Sequence, residues 1–454
     1  MVDPMPKTAT RPSPGTRRLR PLTQGLCLAA CLLTAWPGIA GDPHADETAV
    51  RLSTLPDVLA GPDGKPAATA AAWRTVSRPH QLDLLERFVY GRRLPGVPVT
   101  VVGDVERAAV TLAGDVRATR LQARLRLGEA ADAHVVEVLL YLPEGARSVP
   151  VFLGLNFTGN QSLHPDPGIW LPQTWMPEAP AVGLVEHRAT AASRGRSARQ
   201  FPVDQMLARG YGLATAYCGD IFPNRSDGRA ASVLESLGRP VGGDLPADEP
   251  GAIAAWAWGL SRILDWLVTL PEVDGRKVAV YGHSLLGKVA LWAGAGDERF
   301  ALVISNDSGC GGAALSRRNP GETVAAIIKR FPHWFCPAFA TFADREAELP
   351  TDQHALLAMT APRPLYVASA IEDKWADPRG EFLSAVAAGP AWQLFGLTSL
   401  GTADWPPVDT PVGRTVGYHV RRGRHDLIEY DWQRFADFAD RTLRGREPPP
   451  ADGH

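Results

Sequence analysis

Hydrophobic positions follow two patterns along this chain, and the change between them falls near residue 149. Upstream, the runs "VPVTVVGDV", "AVTLAG", "ATRLQARLRL" and "HVVEVLLYLP" between 98 and 145 alternate apolar with polar positions. That period of two predicts strands of an antiparallel meander. Before them, "RPHQLDLLERFVYGR" has helical spacing through Leu82, Leu85 and Phe88, and residues 41–75, rich in Ala, Pro and Gly, read as an irregular lead-in. From 149 the runs become continuously apolar. "VPVFLGLNFTGN" (149–160) is a buried strand that breaks into Asn, Gly and Asn, and "YGLATAYCGDI" is another.

Strand and helix then alternate. A long helix, "AIAAWAWGLSRILDWLVTL", leads to "KVAVYGHS", "FALVISNDSG", "RPLYVASAIED" and "TVGYHVRRGRHD", four short apolar runs ending in polar or glycine residues. The segments "LLGKVALWAGA" and "GEFLSAVAA" are helices between them. This order predicts an α/β fold, a mostly parallel sheet covered on both faces with an antiparallel N-terminal portion. Ligands of such sheets bind beyond the carboxyl ends of the strands. No internal repeat or Gly/Ser linker divides residues 41–446, so they are expected to form a single catalytic domain, with 447–454 as a disordered tail.

The strand ends hold the candidate chemistry. In "VAVYGHSLLGKVALWAG" a strand, a Gly282-His283-Ser284 turn and a helix follow one another. Such a turn exposes a serine hydroxyl at a helix N-terminus, where free amides and the dipole favour a developing oxyanion. The usual elbow has glycine two places after the serine; here Gly287 stands three places after. A competing reading makes Ser284 a helix cap. His425 follows the last strand, where this fold places its general base, in the order serine, acid, histidine. Two acids compete to orient it, Asp307 after one strand and Asp373 after the next, and they are free to share the role. His283, beside the nucleophile, reads as structural.

Composition adds exclusions. The chain of 454 residues is 45% hydrophobic and 21% charged with a formal charge of −2, so nothing attracts nucleic acid or an anionic membrane. Arg17, Arg18 and Arg20 precede "PLTQGLCLAACLLTAWPGIAG", which reads as a secretory signal over 1–40 cut after Ala40, and places the protein outside the cell or in the periplasm. Its strongly apolar part, interrupted by Gln24 and Pro37, is shorter than the roughly 20 apolar residues of a membrane span. A lipid on Cys31 of "LAAC" is a further reading, with which the apolar "LLTAW" that follows fits poorly. Cys218, Cys310 and Cys336 remain after such a cut, lack metal-ligand spacing, and leave a Cys310–Cys336 bond as the most plausible pair in an oxidising compartment. No metal or organic cofactor is expected, and the protein is expected to be a monomer.

Several long segments carry a resemblance. "GHSLLGKVALWAGAGDERFALVISNDSGCGGAALSRRNPGETV", "FPHWFC", "LPTDQHALLAMTAPRPLYVASAIEDKWADPRGEF" and "GYHVRRGRHDLIEYDW" resemble the bacterial glucuronoyl esterases, carbohydrate esterase family fifteen. "LPDVLAGPDGKPAATAAAW", "VFLGLNFTGN" and "AWAWGLSRILDWL" fit the same pattern. The resemblance implies an α/β-hydrolase fold, a three-layer αβα sandwich. It also implies cleavage of the ester that joins 4-O-methylglucuronic acid of xylan to lignin alcohols, so the expected partner is glucuronoxylan or a lignin–carbohydrate ester. It makes Ser284 the nucleophile and His425 the base. Asp307 matches the family's first acid position and Asp373 the alternative one of many bacterial members. Lys288, Glu322 and Trp375 match residues that hold the sugar. Independently, Lys288 lies one turn beyond the serine on the same helix face, and Trp375 offers either a flat surface to a pyranose or a core side chain.

The chain departs from the family at Leu285, where the pattern has an arginine that helps hold the oxyanion. Leucine keeps the backbone N–H and loses the charged donor; one such donor is worth about 10²–10³ in rate. Another cation from "RRNPGE", amides of the "NFTGN" loop, or altered function would answer the loss. The expected activity is therefore a glucuronate esterase, with a broader carbohydrate or acetyl esterase, or a catalytically impaired glucuronoxylan-binding homologue, as alternatives. The segment 308–362, which carries "HWFC", is expected to wall the pocket.

Overall fold

A computed structural model of the protein describes residues 53–318 and 320–446, besides Met1 and Val50. The expected export segment (Met1 apart), Cys31 and the 447–454 tail lie outside the described residues. Ten strands form one sheet: β1 (Val99–Val101), β2 (Glu106–Thr111), β3 (Arg117–Leu127), β4 (Val135–Pro143), β5 (Val149–Asn156), β6 (Gly212–Tyr217), β7 (Val273–His283), β8 (Leu302–Asn306), β9 (Leu365–Ala370) and β10 (Val416–Arg421). Their order is β1-β3-β4-β6-β5-β7-β8-β9-β10, with β2 on β3. Pairings from β1 to β4, and of β4 with β6, are antiparallel. From β6 through β10 every pairing is parallel. This is the α/β-hydrolase architecture read from the sequence.

The parallel strands are apolar throughout because both faces are covered. Val151, Leu153, Val278, Val280, Val303 and Val367 join one apolar cluster, while Phe152, Ala279, Tyr281, Ile304 and Tyr366 join the other. Successive side chains thus go to opposite layers. The first layer contains α1 (Ala252–Leu267), α2 (Leu285–Gly296) and α3 (Pro378–Ala388). Thirteen residues of α1 are buried, so its apolar character runs almost all round. α4 (Glu429–Arg444) covers the other face with Trp432, Phe435, Phe438 and Ala439, and stops at Gly445 in the left-handed region.

Three expectations change. Around Arg78–Leu85, the flanking turns Trp73–Ser77 and Glu86–Tyr90 are π-helical. The wider turn carries Val89 and Tyr90 inward, leaving Phe88 half-buried where regular spacing puts it on the buried face. Cys310 and Cys336 are buried free thiols, not a disulfide; the Cys336 thiol lies 3.8 Å from the Arg87 carbonyl instead. Finally, within the segment 308–362, Trp334, Phe335 and Cys336 of "HWFC" pack into the first apolar cluster, and it is Glu322 that reaches the site. Trp334 Nε1 is held at 2.8 Å by Asn224 Oδ1.

The decisive consequence is local. β7, β8, β9 and β10 end at His283, Asn306, Ala370 and Arg421, side by side and pointing the same way. The next few residues of each carry Ser284, Asp307, Asp373 and His425.

Candidate active site

Ser284 is the hinge between β7 and α2. Its backbone N–H continues the sheet ladder to Asn306 O at 2.8 Å, and the chain then reverses at φ 58°, ψ −127°. A non-glycine residue held at such angles costs about 1–3 kcal/mol and requires support from its surroundings. That support is close backbone packing. A Cβ on Gly282 would stand 1.9 Å from Leu286 O, and one on Gly287 would stand 3.0 Å from Ser308 Cβ. The spacing Gly-X-Ser-X-X-Gly therefore lets the first turn of α2 lie against β7 and the end of β8. Ser284 occupies the cap position of α2 but makes no capping bond. Its Oγ is 2.8 Å from His425 Nε2.

His425 is fixed from the other side by Asp373, with Nδ1 2.6 Å from Oδ2. With Nδ1–H donating to this carboxylate, Nε2 is the acceptor for the serine proton. Asp373 Oδ1 accepts from Ala376 N–H at 3.3 Å. Asp307 comes near, since donor atoms of Asp307, Asp373 and His425 all lie within 4.8 Å of one another. It is bonded elsewhere, however. Oδ1 accepts from Ala370 N–H at 2.7 Å, and Oδ2 is 3.4 Å from Arg421 Nη2. Burial and the neighbouring Asp373 raise the Asp307 carboxyl well above its ordinary range, with Arg421 opposing them. Of the two competing acids, Asp373 is the one that contacts the imidazole.

The residues matched to sugar binding gather at the same end of the sheet. Lys288, in the first turn of α2, is 4% exposed and its ammonium donates to Ser308 O. Glu322 is tied to Trp375 through its backbone N–H, 2.9 Å from Trp375 O. Burial raises the Glu322 carboxyl, while the Lys288 charge and a hydrogen bond from Trp375 lower it. Trp375 is half-buried and belongs to neither apolar cluster, so the core reading of this tryptophan does not hold.

Leu285 begins α2, so its N–H has no acceptor within the helix. Its side chain is 3% exposed and packs in the first apolar cluster. The arginines of "RRNPGE" are engaged elsewhere: Arg317 with Asp352 at 3.1 Å and Arg318 with Asp377 at 3.0 Å. In the "NFTGN" loop, Gly159 N–H is taken by Asn156 Oδ1 at 2.8 Å. Leu153 pairs with Val280, so β5 and β7 run side by side toward their ends at Asn156 and His283, the residues just before Phe157 and Ser284.

Beneath these groups lies a further layer, of which sequence reasoning placed His283 as structural and missed Glu381, Arg421 and Asp431. His283 Nδ1 contacts Asn306 Oδ1 at 2.6 Å, and its ring centroid is 4.6 Å from that of His425. Burial and the neighbouring His425 lower the His283 pKa to about 3, so it stands there neutral. Glu381 of α3 accepts from the backbone N–H of Ser308 (2.8 Å) and Gly309 (2.9 Å) and from Ser369 Oγ (2.5 Å). Arg421 and Asp431 form a buried pair at 2.9 Å behind Asp307. The available cue for Arg421 was parity. Val416, Tyr418 and Val420 enter the first cluster, which turns His419 and Arg421 toward α4, while Arg422 and Arg424 are 86% and 89% exposed.

Comparison with known proteins identifies the family. A family model described as glucuronyl esterase, fungi, matches residues 246–396. The chain is 43% identical over 432 residues to the carbohydrate esterase MZ0003 of an unknown prokaryotic organism, covering 92% of this chain and 97% of that protein. It is 34% identical over 211 residues to a 4-O-methyl-glucuronoyl methylesterase of Hypocrea jecorina, covering 43% and 45% of the two chains. Among solved structures, a promiscuous CE15 esterase from a marine bacterial metagenome matches with a TM-score of 0.80 at 43% identity, over 87% of this chain and 99% of that one. A glucuronoyl esterase from Solibacter usitatus matches with a TM-score of 0.79 at 42% identity over the same shares. The chain belongs to the glucuronoyl esterases of carbohydrate esterase family fifteen, carboxylic ester hydrolases with the α/β-hydrolase fold.

Proposed function

We propose that this protein is an exported serine esterase that hydrolyses esters of 4-O-methylglucuronic acid, such as those linking glucuronoxylan to lignin. The observation that carries the reading is the continuous hydrogen-bonded line Ser284–His425–Asp373 beside Lys288, Glu322 and Trp375. The names of the curated relatives support the acid side of the ester. The arginine-flanked apolar run within residues 1–40 supports export.

In this reading His425 takes the Ser284 proton as Oγ attacks the C6 carbonyl of the uronate. Asp373 holds the imidazole in the required tautomer and stabilises the imidazolium. The oxyanion is met by the N–H of Leu285 and by that of Phe157, the loop position that supplies the second donor in this fold. The alcohol leaves with the proton from His425. Water, deprotonated by the same imidazole, then releases glucuronate from the serine.

A second reading, a broader carbohydrate or acetyl esterase, is favoured by Leu285 and by the promiscuous relative at 43% identity. Hydrolysis of benzyl glucuronate and of p-nitrophenyl acetate by the purified protein, with Ser284→Ala as control, separates the two. Serine-dependent release of glucuronate is the expected result. Turnover of the acetate alone would replace the first reading by the second.

A further inference from the structure

The guanidinium of Arg421 is 2% exposed, and each of its nitrogens is engaged. Nε donates to both oxygens of Asp431 at 2.9 Å. Nη1 donates to the carbonyls of Arg422 (3.1 Å) and Arg424 (3.2 Å), and Nη2 donates to that of Asp426. These three carbonyls belong to the loop that carries His425, and two of them belong to its immediate neighbours in the chain. Nη2 also faces Asp307 at 3.4 Å. Asp431 is in turn held by Ile428 N–H (2.9 Å) and by His419 Nε2 (2.9 Å), whose Nδ1 meets the Tyr366 hydroxyl at 2.9 Å. Burial lowers the His419 pKa while its Asp431 partner raises it, and Arg421 is the cation that pairs with Asp431 and faces Asp307.

We propose that Arg421 is a positioning residue for the acyl transfer: it clamps the His425 loop by three carbonyls and sets a buried cation against Asp307, behind the imidazole. The proposal rests on the serine-esterase reading above. Its geometric half follows from the shape of the group. A planar guanidinium reaches Asp431, three carbonyls and Asp307 at once, whereas a lysine ammonium offers one point of charge. Its electrostatic half follows from what faces His425. Asp373 and Asp307 come from the ends of β9 and β8, and His283 from the elbow. Glu322 and Asp426 come from loops, Asp426 being held by Arg199 and Gln200. Glu381 on α3 and Asp431 on α4 stand behind Asp307. Lys288, beside Glu322, is the cation on the substrate side of His425, and Arg421 is the one behind it; without Arg421 the acids behind the imidazole lose the cation that faces them, which favours positive charge on the ring.

The test uses the full chain with three variants, benzyl glucuronate and p-nitrophenyl acetate as substrates, and Ser284→Ala as control. Arg421→Lys keeps the charge and loses the clamp. Its kcat is expected to fall at least about tenfold with KM within about threefold, as for a misplaced base, and its acidic limb of kcat/KM is expected to match the wild type. Arg421→Met is expected to fall further and to move that limb to higher pH. Asp307→Asn/Arg421→Met removes the cation together with the acid it faces; its limb is expected to return while kcat stays low. Wild-type kcat in Arg421→Lys, or in the double variant, would overturn the positioning role, even with a lowered Tm. An unshifted limb in Arg421→Met would overturn the electrostatic one. Where Arg421→Met does not fold, the other two variants decide. A wild type without serine-dependent turnover of either ester overturns the esterase reading itself, which no behaviour of the Arg421 variants in an active enzyme would do.

Discussion

Asp373 Oδ2 lies 2.6 Å from His425 Nδ1, whereas the Asp307 carboxylate, equally buried, bonds Ala370 N–H and faces Arg421. The two acids thus differ in task. Asp373→Asn replaces the acceptor of the Nδ1 proton and is expected to lower kcat by about 10³–10⁴-fold, the scale for an acid that fixes the tautomer of a catalytic histidine. Asp307→Asn leaves that contact in place and is expected to cost about tenfold or less. Steady-state kinetics on benzyl glucuronate rank the two; the opposite order would move the acid to Asp307.

The elbow glycines are expected to differ as sharply. At Gly282 a methyl group would meet Leu286 O at 1.9 Å, backbone that belongs to the helix and has nowhere to move. At Gly287 the nearest atom is Ser308 Cβ at 3.0 Å, a contact relieved by a few tenths of an ångström. Gly287→Ala should fold with a loss of about 1–3 kcal/mol, the usual range for overpacking. Gly282→Ala should lose soluble expression or all activity. Chemical denaturation and yield distinguish them.

Much of this site was legible because its parts are local. Ser284, Asp307, Asp373 and His425 each follow an apolar strand by a few residues, and parallel pairing brings such positions together without further information. The alternating 98–145 region likewise declared its antiparallel pairing. What stayed hidden depends on which way a side chain points after folding. Nothing in "VRRGRHD" separates Arg421 from Arg422 and Arg424 until strand parity is tied to α4. Glu381 reads as an ordinary first-turn acid until its neighbours are seen to be Ser308, Gly309 and Ser369. The "HWFC" segment, with its polar histidine and long connection, suits a pocket wall as well as it suits the core layer it occupies. The rotation at Val89 comes from a π turn, which a regular helical period does not encode.

Leu285 separates backbone from side chain. If its N–H serves the oxyanion, Leu285→Ala should leave kcat within about threefold while the lost core packing lowers stability by about 2–5 kcal/mol. Leu285→Arg restores a charged donor and is expected to raise kcat on benzyl glucuronate about tenfold, less than the 10²–10³ of a fully adapted donor. A fall in kcat for Leu285→Ala equal to its effect on folding would point to side-chain packing of the elbow instead.

Glu381 makes stability depend on pH. Burial, with Asp373 nearby, pushes its carboxyl up to about 7, so between about 4.5 and 7 the folded state holds a proton that the unfolded chain has released. Its contribution is therefore present in full at low pH and is lost as pH rises through 7. Glu381→Gln mimics the protonated form and removes this dependence. Its Tm relative to wild type should rise from pH 5.5 to pH 8, by an amount equivalent to a few kcal/mol at most. His283 is common to both proteins, so its opposite effect below pH 6.5 cancels in the difference. A difference that is flat with pH would mean that Glu381 is ionised throughout.

Trp375 tests the substrate side without disturbing the fold. It is half-buried, belongs to neither apolar cluster, and shares a backbone bond with Glu322 at 2.9 Å. Trp375→Ala should therefore leave Tm within about 2 °C, as for a substitution outside the core. A flat ring stacked on a pyranose is worth about 1–2 kcal/mol in binding, so KM for benzyl glucuronate should rise about tenfold. The acetate ester has no sugar to stack and should suffer much less. The ratio of the two changes is the informative quantity, because a general distortion of Asp373, two residues away, would lower turnover of both esters alike. Equal losses would take Trp375 out of the sugar site and make it a support for the Asp373 loop.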